Sequence, residues 1–558
     1  MFMKNIFIKL AKIAVVFFGI LNTGCEDFLD INSSTATDDT IVLSNTSNLD
    51  KILVGTYNGL LMGNTVYASD RGLAGLTGMM HYYPLAGTDI TSLKGMGTSE
   101  HTAYTFADSR TQASGFYTQS IWSQFYDHIN RCNIILDALT SATGPDSDKK
   151  EISGQAKAIR AISYFNLIMN YQKTYAVGKS LRGVILRTSS SDPDSMPFST
   201  VEDIYNRIVT DLNDAKIELR DYQTSEPWRI DYEVVCSWLA RVYLVMATDW
   251  SEVFNNANAA YENHKTLLTK EQWCGGFDDF IENQYNEFIW GYQNTELSNA
   301  GTSTPFNMWF NLPPSAGESN NTQYIYSYIT YFVTDQWLKL FDGDETDYRA
   351  SRLDKTEDVK DEDILDVSND YAKYMLWHRT NNPDKMTKSK WAYNKFLHLG
   401  EQGETRADIC LIRSSEMLLM MAEAAVHLDK IPEALNYLQT LQSARNVSKI
   451  TTTTDKDELL EAIYIERRKE LLGETVTGMF DNLRLQKDVI REGESLENNY
   501  AGHFNEGLLY WGSKAGNIAT LKANDYRYFC QIPDIEFTRN KAISQDVFTT
   551  DYYSIFYR

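Results

Sequence analysis

The stretch Ile409 to Asn446, ICLIRSSEMLLMMAEAAVHLDKIPEALNYLQTLQSARN, decides how the chain is read. Ile409 to Leu428 is apolar nearly all round, with Ala422, Ala424 and Ala425 near its end and a thin polar stripe at Arg413, Glu416 and Glu423. That pattern predicts a helix packed between other helices. Asp429 is placed to cap a second helix, and Pro432 falls in its first turn, where a missing N–H costs nothing. Ile431, Ala434, Leu438 and Leu441 then recur at helical spacing, so the second helix is amphipathic and faces the first. The product is a helical hairpin with small residues at the contact.

The pattern recurs. Trp122 to Leu139 and Ile152 to Tyr171 form a hairpin broken at Gly144 and Pro145, with Ile159, Ile162, Phe165 and Met169 on one face. Thr200 caps Val201 to Leu219, whose stripe is Ile204, Ile208 and Leu212, and Asp231 to Ala247 pairs with it as a third. Asp455 to Leu472 begins a fourth, and Leu49 to Met62 reads as the first helix. The fold class is therefore mostly α: four tetratricopeptide-like hairpins with an irregular loop-rich lobe and a few short strands. The hairpins fall at about 116–250 and 405–490, and the lobe at about 63–115 and 270–400.

In the lobe, Gly63 to Gly115 reads as glycine- and threonine-rich loops, including Gly87 to Ile90 and Ser92 to His101. Glu287 to Gln293 is strand-like. Asn294 to Gln323 carries Asn, Ser, Thr, Gly and three prolines around Phe306, Trp309 and Phe310. Long loops on a helical scaffold are candidate binding elements. An aromatic pair in a polar loop is either a buried plug or a platform on which the apolar C–H face of a sugar stacks, with nearby amides and hydroxyls pairing its hydroxyls.

The chain has 558 residues, 43% of them hydrophobic, enough for one large body, with 11 prolines and 31 glycines spread without a long linker. A net charge of −23 argues against nucleic acid, whose binding relies on Lys and Arg releasing counterions, and against electrostatic adhesion to anionic lipid. Lys4, Lys9 and Lys12 precede the apolar run Ile13 to Leu21 and then Asn22, Thr23, Gly24 and Cys25. This reads as a lipoprotein signal peptide, 1–24, ending before a lipidated Cys25; the run is too short to span a bilayer. Asn22 stands where a leucine is usual, with Leu21 displaced by one. Residues 25–48 follow as a polar tether, and 49–558 as a single body. The remaining cysteines, Cys132, Cys236, Cys274, Cys410 and Cys530, are odd in number and widely spaced, which suggests buried thiols.

Signals for catalysis are sparse. The eight histidines lie singly, without metal-ligand spacing, and no C-x-x-C occurs, so neither metal nor cofactor is expected. Gly178 to Ser180 lacks the earlier glycine of a phosphate-cradling loop. Asp342, Asp344, Glu345 and Asp347 crowd like calcium ligands but miss the twelve-residue pattern, and Arg349 is at hand to neutralise them. A glycoside hydrolase would need two opposed carboxylates, which sequence cannot select among 75 acidic residues.

Seven short runs, in order, carry a resemblance: CEDFLD from Cys25, AKAIRAISYFNL from Ala156, ARVYL from Ala240, IRSSEMLLMMAEA from Ile412, IERRKEL from Ile465, FDNLR from Phe480 and QIPDIEFTRN from Gln531. Together they resemble the SusD/RagB family, the surface glycan-binding lipoproteins of Bacteroidetes uptake systems, over nearly the whole length. The resemblance implies four tetratricopeptide-like hairpins supporting a lobe that carries the glycan site. It also implies pairing with a SusC-like TonB-dependent barrel and lipid anchorage in the outer membrane, facing the exterior. The sequence departs in one place. Starch-binding relatives place an aromatic after the Thr-Asp dipeptide, whereas Ile90 to Thr98 offers only Leu93 and Met96, so starch is not carried over. Trp309 lies in the family's other site-bearing region and is the leading candidate contact, with Asn307 and Phe310 beside it and Tyr83 and Tyr104 as companions.

Two classes of function make different demands. A binding and delivery subunit needs a shallow aromatic site, an anchor and a docking face, without a perturbed carboxylate pair; a secreted polysaccharide hydrolase needs that pair.

Overall fold

The computed structural model describes residues 42–62, 75–92, 116–274, 280–293, 331–344, 346–350, 376–378, 391–393, 408–491 and 520–543, together with Phe277 and Lys395. Helix α1 (Thr46–Met62) begins inside the span assigned to the tether, because Thr46 N donates to Thr143 O at 2.9 Å and Thr143 N donates to Ser44 O at 2.8 Å. Helix α2 (Gly75–Leu85) occupies a region expected to be loop. Its Leu76, Met79, Tyr82, Tyr83 and Leu85 are all buried, so tertiary packing overrides the glycines and Pro84 that discourage a helix there.

Helices α3 (Phe116–Leu139) and α4 (Asp146–Tyr171) form the expected hairpin. Helix α4 is buried almost without interruption from Ile152 onward, since α3 lies against one side and α5 (Val201–Glu218) against another. The start of α5 is fixed by a reciprocal cap: Asp203 N donates to Thr200 Oγ1 at 3.1 Å and Thr200 N donates to Asp203 Oδ2 at 3.0 Å. At its centre Arg160 grips Asp211 through two bonds of 2.8 Å.

Helix α6 (Tyr232–Met246) starts on Asp231, which accepts from Val234 N at 3.0 Å. It packs on α5 as expected and more extensively on α7 (Trp250–Tyr261). Ala247 adopts a left-handed φ of 53° and Asp249 caps α7 at once, so the chain reverses within three residues and α7 folds back on α6.

The deciding stretch is part strand. Strand β6 (Asp408–Arg413) pairs antiparallel with β2 (Phe288–Gln293), and helix α8 (Ser414–His427) begins only afterwards. A short continuous apolar run reads equally as buried helix or buried strand, and here the partner strand decides it. Strand β6 is buried at every position. Asp429 does not cap α9 (Ile431–Ala444). It sits in the left-handed region at φ 61° and turns the chain, while Lys430 holds the cap position. The hairpin α8–α9 itself stands as expected, with Ala434, Leu438 and Leu441 buried. Helix α10 (Lys456–Glu470), capped by Asp455, packs against α8.

The polar stripe of that stretch is wholly engaged inside the protein. Glu416 accepts from Arg241 of α6 at 2.8 and 2.7 Å. Glu423 accepts from Arg484 of α11 (Met479–Arg484) at 2.6 and 3.0 Å. Arg413 enters a larger network, donating to Glu287 at 2.5 Å, Glu470 at 3.0 Å and Glu474 at 2.6 Å. Arg445 joins Glu287 and Glu470, Arg349 joins Asp347 and Glu470, and Lys395 joins Glu474. Trp273 lies among these cations, with Arg445, Arg413 and Lys395 at 4.6, 5.1 and 5.1 Å from its ring centre. Charges this deep persist only when paired and hydrogen-bonded, so the network fixes where β2, β6, α9 and α10 meet.

Asp347 and Asp344 serve structure. Asp347 pairs with Arg349, and Asp344 accepts from Ser448 N and Oγ at 2.9 and 2.8 Å, tying its loop to the end of α9. Cys132, Cys236, Cys410 and Cys530 are buried. Among the described residues, no helix is long and apolar enough to cross a membrane.

Candidate functional site

Trp309, Asn307, Phe310 and Tyr104 lie outside the described residues, as does Cys25. Tyr83 is placed, and it is not a surface companion of a binding site. It is 2% exposed on α2, and its hydroxyl accepts from Asn170 Nδ2 at 3.1 Å. Burial pushes its phenol pKa upward. A tyrosine in an expected loop reads as a contact; the same tyrosine on a helix with Leu76, Met79, Tyr82 and Leu85 buried beside it is core.

The structure describes the base from which the candidate loops spring. Strand β1 (Ile90–Ser92) pairs antiparallel with β3 (Tyr331–Val333), in the register Ile90 to Val333 and Ser92 to Tyr331. Segment 93–115 therefore leaves the ribbon at the same end at which segment 294–330 enters it. These two segments hold every candidate contact except Tyr83. The other end of 294–330 is fixed as well, because Gln293 of β2 lies opposite Asp408 of β6, while Tyr292 OH and Thr77 Oγ1 of α2 hydrogen-bond at 2.7 Å. Strand β5 (Trp391–Tyr393), paired with β4 (Leu376–His378), packs beside β3.

The ribbon is clamped from below. Arg468 of α10 donates to Asp89 through Nε at 3.0 Å and Nη2 at 2.5 Å, a two-point grip on the carboxylate that precedes β1. Thr334, just after β3, donates its N–H to Asp89 O at 2.9 Å and its hydroxyl to Thr88 O at 2.8 Å. Trp337 Nε1 donates to Arg468 O at 3.0 Å. Arg491 donates to Gly87 O and Leu85 O, both at 3.1 Å. Gly87 has no side chain because a Cβ there would stand 2.8 Å from Gly478 Cα, and Gly478 is itself left-handed at φ 62°. The Thr88-Asp89 dipeptide marked this place in the sequence, but Arg468 lies 379 positions away and carried no local signal.

The base brings Ser92, before segment 93–115, opposite Tyr331, after segment 294–330. Glu470, held well below its ordinary range by Arg445, Arg413 and Arg349, and Glu474, lowered by Arg413 and Lys395, are both buried and paired, unlike a hydrolytic pair. Among the described residues, no group of three or more His, Cys, Asp or Glu is arranged to hold a metal ion.

The described residues form packed helical hairpins joined by short antiparallel strand pairs. Residues 286–548 match the model of the SusD family, and residues 27–244 match a second model described as starch-binding, associating with the outer membrane. The chain belongs to the SusD family. A SusD-like protein of Formosa agariphila is 23% identical over 380 residues, covering 63% of this chain and 69% of its own length. Among solved structures, a SusD-like carbohydrate binding protein from Bacteroides vulgatus superposes with a TM-score of 0.70 at 24% identity, covering 90% of this chain and 98% of its own. A laminarin binding SusD-like protein superposes with a TM-score of 0.61 at 18% identity, covering 89% and 98%.

Proposed function

We propose that the protein captures an oligosaccharide or polysaccharide and delivers it to a SusC-like TonB-dependent transporter of the outer membrane. The observation that carries this reading is the register of β1 and β3, which brings segments 93–115 and 294–330 to one end of a clamped ribbon. Membership of the SusD family and the binding named for two similar structures support a glycan as the ligand. Within this reading Trp309 is the stacking platform, and Asn307, Phe310 and Tyr104 are further contacts. Glu470 and Glu474, buried and paired with arginines, are structural in this reading rather than a hydrolytic pair. A lipid on Cys25, followed by the acidic Glu26 and Asp27, anchors the chain on the outer face of the outer membrane.

Calorimetric titration of the purified protein with laminarin, soluble starch and mannan tests the capture step. Saturable binding of at least one, with the polymer left intact, is the expected result; shortening of the polymer would point to a hydrolase instead. Protease treatment of intact cells tests display. The protein is expected to be digested without breaking the cells, and protection until lysis would place it on the inner side.

A further inference from the structure

We infer that the protein holds one structural water molecule in its interior, bridging Trp238 of α6 to Thr475 in the segment between α10 and α11. A cavity lies where α2, α4, α6, β2 and β6 converge, walled chiefly by Leu76, Met79, Phe165, Leu411 and Phe480, and it offers the centre of a water molecule about 10 Å³. That is room for one water and for nothing larger. With apolar walls alone such a cavity would stay dry. It is also lined by Trp238 and Thr475, which are 4% and 8% exposed, and neither Trp238 Nε1 nor Thr475 Oγ1 has a hydrogen-bond partner among the described residues. Buried N–H and O–H groups are almost always paired, with protein or with ordered water.

Neither group can turn toward a protein partner. The Trp238 ring is held by the Arg241 guanidinium, 4.8 Å from its centre, and by Phe165 and Trp290 at 5.9 and 6.4 Å. Arg241 is itself committed to Glu416 and to Leu411 O, and the indole of Trp290, on the same cavity, already donates to Trp228 O at 3.0 Å. Thr475 is fixed from both sides. Glu474 before it accepts from Arg413 at 2.6 Å, and Val476 O after it accepts from Arg467 at 3.1 Å. The partner must therefore come to them, and it must accept from an indole N–H and pair with a hydroxyl within the space of one water. Asn166 lines the same cavity and brings a side-chain carbonyl oxygen that can take a water's hydrogen. A water so placed joins α6 to the segment that carries Glu474 of the charge network.

Crystals of the full chain that diffract finely enough to show ordered water test this directly. Electron density for one water within hydrogen-bond distance of both Trp238 Nε1 and Thr475 Oγ1 is the expected result, and an empty cavity in the parent protein would overturn the inference. Thr475→Val gives a second reading whose sign separates the two cases. Valine matches threonine in size but cannot hold the water, so Trp238 Nε1 loses its partner and the melting temperature is expected to fall by about 1 to 2 °C. In a dry cavity the same change removes an unpaired hydroxyl and adds a methyl group to apolar walls, so a variant melting above the parent would also overturn the inference. Thr475→Ser keeps the hydroxyl and is expected to keep the water; its absence there would show that the hydroxyl does not hold it. Should Thr475→Val fail to fold, the density in the parent protein and in Thr475→Ser still decides.

Discussion

Glu470→Gln is expected to lower the unfolding free energy by about 3 to 5 kcal/mol, the cost of breaking a buried charge network by removing one partner. Glu470 is fully buried, and its two oxygens accept from Arg413 at 3.0 Å, from Arg445 at 2.8 Å and from Arg349 at 2.9 Å. Glutamine would keep the shape but supply one oxygen and two N–H donors to a site already full of donors, leaving guanidinium charge uncompensated. Urea denaturation measures the loss. Glu461→Gln is the control, because its ion pair with Lys487 is at the surface and is worth at most about 1 kcal/mol. Equal losses in the two variants would show that the network contributes no more than a surface pair.

The same residue gives the acid response its direction. Burial works to raise the Glu470 pKa, but Arg445, Arg413 and Arg349 outweigh it and hold the carboxyl well below its ordinary value. A carboxyl depressed in the folded state stabilises the protein fully above the unfolded pKa of about 4.3 and loses that contribution as pH falls below it. Stability should therefore drop below about pH 4.3 more steeply in the parent protein than in Glu470→Gln.

Trp309→Ala is expected to weaken polysaccharide binding roughly thirtyfold, about 2 kcal/mol, while the melting temperature stays near that of the parent. Trp309 lies in a polar, proline-containing segment beside Phe310, and that segment enters β3 directly opposite the exit of segment 93–115. A stacking aromatic at the centre of a site carries a large share of binding energy, whereas a core tryptophan carries stability, with losses of about 3 to 5 kcal/mol on truncation to alanine. Calorimetric titration and thermal melting of the same sample separate the two. Unchanged affinity with a clearly lowered melting temperature would move Trp309 from the site to the core.

The helical hairpins were legible because their signals are local. Apolar periodicity, the Thr200 cap and the break at Gly144 and Pro145 each act within a few residues, and the helices follow them. Where the sequence misled, a distant partner decided. The run Ile409 to Ile412 became strand because β2 lies beside it, and Asp429 became a left-handed turn residue rather than a cap. The glycines and Pro84 near Tyr83 read as loop, yet Met79, Tyr82 and Leu85 close a helix around it. The polar stripe Arg413, Glu416 and Glu423 was visible; its partners Glu287, Arg241 and Arg484 were not, since the first two lie 126 and 175 positions away. The candidate site divides in the same way. Thr88-Asp89 marked a place in the chain, while the strand register and the Arg468 clamp that organise it arise only from folding.

The buried network also sets an order of events during synthesis. Glu287 waits for Arg413, Arg413 waits for Glu470 and Glu474, and Arg445 bonds Leu268 O across 177 positions. Until residue 474 has been made, the earlier members have no complete set of counter-charges, and the centre of the molecule cannot close. The α3–α4 pairing itself is near in sequence, but the hairpin also waits for the C-terminal part of the chain, since Trp122 Nε1 donates to Glu536 and Cys530 N donates to Asn170 O. Both the charge network and the α3–α4 hairpin are thus completed by residues of the C-terminal sixth or close to it, so a chain cut short before residue 474 would lack counter-charges at its centre.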